Sequence, residues 1–101
     1  MKIVSVDASQ CKDSIELFEM LKKTIGSPEW HGLSTDAFLD TMIWHDVNML
    51  KPPYTIIVLH SNAAPREVRD DALLMKRCIY DDKREYIRRH RTDRQIDFVV
   101  E

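Results

Sequence analysis

Tyr54-Thr55-Ile56-Ile57-Val58-Leu59 is the stretch on which the fold turns. It holds a run of four apolar residues, Ile56 to Leu59, and it does not alternate apolar with polar positions. That pattern predicts a strand covered on both faces, as in a parallel sheet. Parallel neighbours cannot be joined by a tight turn, so helical crossovers are expected on either side of it in sequence. Lys51-Pro52-Pro53 precedes the run and forces an extended approach to it.

The upstream flank supplies one strand and two helices. Lys2-Ile3-Val4-Ser5-Val6 is rich in β-branched residues and reads as a strand. Asp13 with Glu16 fits a capping box, and Leu17, Phe18, Leu21 and Ile25 share one helical face. Lys22 and Lys23 suit the negative end of the dipole, Gly26 is placed as the C-cap, and Pro28 prevents resumption. A helix over 13–25 follows. Ser34 is an N-cap for a second helix, whose buried stripe is Phe38, Leu39, Met42 and Ile43.

Downstream, Asn62 to Pro65 opens another helical region in which Val68, Ala72, Met75 and Ile79 share a face. The pattern runs to about His90, with Asp81-Asp82 as a possible interruption, so one bent helix and two helices are both open. Gln95 to Val100 reads as a last strand. The order is β-α-α-β-α(-α)-β. It defines an α/β fold, a three-stranded parallel sheet packed with helices, in a single domain over 1–101.

Composition narrows the function classes. Of 101 residues, 44% are apolar and 32% charged, a globular balance with room for a core. The net charge of -2 names no partner. Residues 1–64 carry five Lys or Arg against eight Asp or Glu, whereas 65–101 carry ten against nine. Cys11 and Cys78 are too few for a disulfide framework and lack metal-ligand spacing, which fits thiols in a reducing cytosol. With no signal-peptide pattern and no apolar run of spanning length, a cytoplasmic protein is expected, away from membranes.

The first-half acidity concentrates beside aromatics. Pro28-Glu29-Trp30-His31-Gly32-Leu33-Ser34 is a loop, and the helix after it carries Asp36, Asp40 and Trp44. Four carboxylates and no Lys or Arg lie between Pro28 and Asp46. Asp36 and Asp40, four residues apart, share a face beside the buried stripe, Trp44 continues it, and Leu39 and Ile43 flank its other edge. Like charges at this spacing repel by a few tenths of a kcal/mol. Asp36 lies in the first turn, where the helix dipole favours it, so helix-start stabilisation and function both explain it. Asp40 is a turn further in, has poor helix propensity, and has no Lys or Arg at positions 36, 37, 43 or 44. That makes Asp40 the candidate functional carboxylate.

Three runs carry a resemblance. Leu17-Phe18-Glu19-Met20-Leu21-Lys22-Lys23, Pro28-Glu29-Trp30-His31-Gly32 and Asp36-Ala37-Phe38-Leu39-Asp40 together resemble the barstar family of ribonuclease inhibitors. The ungapped match covers about 17–44, and the element order agrees across the chain. The resemblance implies a protein inhibitor whose loop and second helix plug a nuclease active site. In that reading Asp40 occupies the phosphate subsite, Asp36 pairs with a nearby Arg, Trp30 packs on the enzyme and Ser34 gives a polar contact. Leu39 falls where the family has a contacting Trp, and His31, Ile43 and Trp44 complete the expected partner-binding surface. A carboxylate mimics a phosphate anion, because Arg binds either with the same two-pronged fork.

The departures fall in the recognition surface. His31 replaces an aromatic, Leu33 an acid, Ser34-Thr35 an Asn-Leu pair, and Leu39 lacks the indole. The same scaffold is therefore expected to face a different target. That target would be a cognate toxin nuclease, most readily a ribonuclease, met by its bacterial immunity protein in interbacterial competition. The inhibitor would be a monomer that forms a one-to-one complex. No cofactor is expected.

The other features are weaker. His31, His45, His60 and His90 show no ligand spacing, so no metal site is expected. A paired-carboxylate enzyme is disfavoured, since no nucleophile arrangement or glycine-rich phosphate loop accompanies Asp36 and Asp40. Lys83 to Arg94 is the rival feature. With Tyr86 among its arginines, it is either a nucleic-acid-binding module or a solvated helix end.

Overall fold

The computed structural model describes residues 1–101. Strand β1 (Lys2–Asp7) leads to helix α1 (Ser14–Ile25), then to α2 (Thr35–Leu39), which passes directly into a π-helical turn over Asp40–Trp44. Strand β2 (Tyr54–Leu59), helix α3 (Arg66–His90) and strand β3 (Ile96–Val100) complete the order. The three strands form a parallel sheet in the order β1-β2-β3, with Lys2 opposite Tyr54 and Tyr54 opposite Ile96. The α/β fold with a three-stranded parallel sheet follows the sequence pattern.

One expectation is corrected. The sheet is packed on one face only. Tyr54, Ile56, Val58, Ile96 and Phe98 are buried, whereas Ile3 on the other face is 66% exposed and Val99 is also exposed. Strands placed in sequence order and joined by right-handed crossovers receive every helix on the same side. Thr55, Ile57 and Leu59 are only half-buried. The apolar run reflects neighbouring β-branched residues on the pleat, not a second helical layer.

The helix ends obey local chemistry. Asp13 caps α1 by accepting from the Glu16 amide at 2.9 Å, and Glu16 answers by accepting from the Lys12 amide at 2.8 Å. Gly26 takes the left-handed conformation at φ 64°, and the Ser27 amide reaches back to the Lys22 carbonyl at 3.0 Å. Helix α3 is one unbroken helix of 25 residues, and Asp81-Asp82 does not interrupt it. Its buried residues Val68, Ala72, Met75, Ile79 and Tyr86 join α1, α2 and the sheet in one core cluster of 21 side chains. No helix is long and apolar enough to cross a membrane.

A candidate protein-binding surface

The loop before α2 is fixed from beneath. Lys22 on α1 donates to the carbonyls of Glu29 and His31 at 2.9 and 3.1 Å. His31 is only 4% exposed, with its ring 4.4 Å from that of Phe38. Its Nδ1 lies 2.6 Å from the Gly32 carbonyl, which can only accept, so Nδ1 carries the proton. Nε2 is then the acceptor for the Thr41 hydroxyl at 2.9 Å, and Asn48 donates to that hydroxyl oxygen at 3.2 Å. Burial disfavours the charged ring and lowers the His31 pKa; the Gly32 carbonyl opposes this in part, and Lys22 adds to it. With His31 anchored inward, Trp30 projects outward at 72% exposure.

Ser34 caps α2 by accepting from the Ala37 amide at 3.1 Å, an arrangement worth about 1 kcal/mol. Phe38, Leu39, Met42 and Ile43 are all buried, so the predicted stripe is the core face. Asp36 and Asp40 are exposed, and neither has a Lys or Arg within ion-pair distance. The predicted surface therefore divides. Trp30, Ser34, Asp36 and Asp40 face solvent, whereas His31, Leu39 and Ile43 lie inside the free protein.

Trp44 is half-buried and turned towards α3. Its Nε1–H donates to Asp82 at 2.9 Å, its ring lies 5.7 Å from Tyr86, and the Arg89 guanidinium lies 5.3 Å from the ring centre. Regular α-helical spacing would continue the Asp36–Asp40 face to Trp44. The segment is instead a π turn, in which the His45 amide bonds to the Asp40 carbonyl at 2.9 Å. The wider turn changes which residues align, and such turns recur at functional sites. It brings the His45 ring nitrogen to 3.2 Å from an Asp40 carboxylate oxygen.

The C-terminal basic segment is largely occupied within the chain. Arg94 donates to the Ile43 carbonyl at 2.7 Å, stacks on Tyr86 at 4.4 Å, and reaches Asp46 at 4.0 Å. Lys83 pairs with Asp93 and Asp97, and Arg88 and Arg89 converge on Glu85. Hydrogen bonds from Arg88 and Arg89 hold the Glu85 carboxyl near a pKa of about 2. Arg94 and Arg89 thus brace the π turn from behind, whereas Lys83 and Arg88 are paired with carboxylates elsewhere. The parts that Asp82, Arg94 and His45 play around the π turn are not legible in the sequence. The first two act across long sequence separations, and the third depends on a turn that α-helical spacing does not describe. Both cysteines are free thiols, and burial pushes the pKa of each up.

A loop and short helix thus present exposed carboxylates and an indole on a one-sided three-stranded parallel sheet. The family model described as Barstar (barnase inhibitor) matches residues 1–101, and the chain belongs to the barstar family. That family is described by inhibition, not by catalysis. No curated protein matches the chain.

Proposed function

We propose that this chain is an inhibitor that binds a cognate nuclease, most readily a ribonuclease, and occludes its active site. The observation that carries the reading is the outward placement of Asp36 and Asp40 without a Lys or Arg partner, together with the exposed Trp30 of the preceding loop. A nuclease site gathers cations to hold phosphate. Asp40 offers those cations a carboxylate fork, Asp36 engages a second cation, and Trp30 supplies an apolar anchor. Ser34 contributes at the helix start while capping it. His31, Leu39 and Ile43 act from below by fixing the backbone that carries these groups, and Trp44 sets the edge towards α3. The negative surface also attracts a cationic partner at long range, which speeds encounter.

The module acts by occupancy, as a monomer that forms a one-to-one complex in the cytoplasm. Its biological setting would be that of an immunity protein guarding a bacterial cell against a toxin nuclease. The test is inhibition of RNA cleavage, with barnase as the first nuclease because the family is described by it. The wild-type chain should inhibit, and Asp40→Ala should weaken inhibition about 30-fold or more while the far-ultraviolet circular dichroism is unchanged. Equal inhibition by wild type and Asp40→Ala would overturn the plug.

A further inference from the structure

Asp40 lacks a Lys or Arg partner, yet its carboxylate is not alone. The π turn over Asp40–Trp44 sets His45 five residues on and bonds its amide to the Asp40 carbonyl at 2.9 Å. In a regular α-helix a residue five positions on points away, because neighbours on a face are three or four apart. Here the two side chains stand on one side, with His45 Nε2 3.2 Å from Asp40 Oδ1. Both are open to solvent, the side chains being 64% and 57% exposed. The imidazole therefore occupies the carboxylate that the inhibitor reading assigns to a target's cation.

We propose that His45 is a specificity-determining residue of this surface, the internal partner that Asp40 holds in the free protein and exchanges for a cation of the target. The proposal rests on the nuclease-inhibitor reading and adds a proton to it. Histidine changes charge between about pH 5 and 8. A protonated His45 competes with an incoming Arg or Lys for Asp40 and repels it as well, so acid weakens binding. A neutral imidazole can still donate one N–H to the carboxylate, but it carries no charge to oppose the incoming cation.

The surrounding charges are otherwise engaged or lie a turn away. Asp36 is one turn back. Asp46, next in the chain, is held by Lys51 at 3.7 Å and Arg94 at 4.0 Å. On α3, Asp82 accepts from Trp44, Arg89 sits over the Trp44 ring, and Arg94 is bonded to the Ile43 carbonyl. His31, in the loop before α2, is tied to Thr41 and Gly32.

The experiment has two arms and uses His45→Gln, a surface change that leaves the core intact. In the free protein, the Asp40 Cγ resonance is followed by NMR from pH 8 to pH 5. It should move through the histidine range in wild type and stay flat there in His45→Gln. A flat trace in wild type, or the same movement in the variant, overturns the pairing. In the second arm, barnase is titrated calorimetrically at pH 8 and pH 5.5 with both proteins. The wild-type Kd should rise about two- to fivefold more on acidification than the variant's; barnase's own titration is common to both. Equal ratios overturn the exchange and leave the inhibitor standing. No complex with either protein at either pH overturns the inhibitor reading with this nuclease, and the Asp40 trace then decides the His45 pairing by itself.

Discussion

The indole Nε1–H of Trp44 donates to a carboxylate oxygen of Asp82 at 2.9 Å, across 38 positions of sequence. This bond joins the end of the recognition segment to the middle of α3. Tyr86 packs against the same indole at a tilt of 59° and Arg89 lies over its ring, so the side chain is held at its polar tip and through its ring. Replacing Asp82 by Ala leaves a half-buried N–H without its charged acceptor, at a cost of about 1–2 kcal/mol. Urea unfolding should show that loss as a lower midpoint with an unchanged slope. An unshifted midpoint would mean that the bond contributes nothing net.

The exposed recognition residues should behave in the opposite way. Trp30 and Asp36 touch little of their own fold, so Trp30→Ala and Asp36→Ala should change stability by no more than about 0.5 kcal/mol. Both should weaken inhibition, Trp30→Ala by about 2 kcal/mol as a lost aromatic anchor. Asp36→Ala should cost less than Asp40→Ala, since Asp36 engages one further cation whereas Asp40 enters the cluster of cations that holds phosphate. Inhibition constants for the three variants, set beside their melting temperatures, test this order. Loss of inhibition that tracks loss of stability would point to damaged folding instead of lost contacts.

The parts of the fold read from sequence are those governed by local chemistry. Asp13, Gly26 and Ser34 announce helix ends because caps use particular residue types at particular offsets. The strand at Tyr54–Leu59 announces itself by composition, and Asp36 and Asp40 by being acids without nearby cations. The sidedness of the sheet was not legible, because Ile57 looks the same whether a helix or a cross-strand neighbour shields it. The π turn was not legible either. Asp40, Trp44 and His45 carry no mark saying that the turn holds one residue more than usual, and that extra residue decides whether Trp44 or His45 stands beside Asp40. His31 shows the same limit. A loop histidine reads as surface until Thr41 is seen to meet it, with Asn48 bonded to the same hydroxyl.

That burial gives His31 a pH signature. Its pKa is lowered in the folded protein, mainly by desolvation, while the unfolded chain protonates near histidine's ordinary value of about 6.5. Above that value both states are neutral and the native network is intact. As the pH falls below it, the unfolded state takes up a proton first, and stability declines until the folded ring protonates too. Denaturant titrations at pH 7.5 and pH 5 should therefore show a drop in wild type that shrinks in His31→Gln. A drop of equal size in both proteins would place the acid sensitivity elsewhere.

Gly26 offers a test of the turn that launches the recognition loop. Its φ of 64° is one that side-chain-bearing residues rarely adopt, and an added Cβ would lie 2.5 Å from the Met49 Cβ. The neighbour cannot simply step aside, because the Met49 amide bonds to the Gly26 carbonyl at 3.0 Å. Gly26→Ala therefore meets backbone strain and a steric clash together, and should lose more than about 1 kcal/mol. Gly26→Asn separates the two. Asn tolerates the left-handed region better than Ala but carries the same Cβ. Thermal unfolding of the pair decides which cause dominates: equal losses assign the cost to the contact with Met49, and a milder loss in Gly26→Asn assigns it to the backbone. A wild-type melting temperature in Gly26→Ala would show that the C-cap relaxes freely and that the loop does not depend on it.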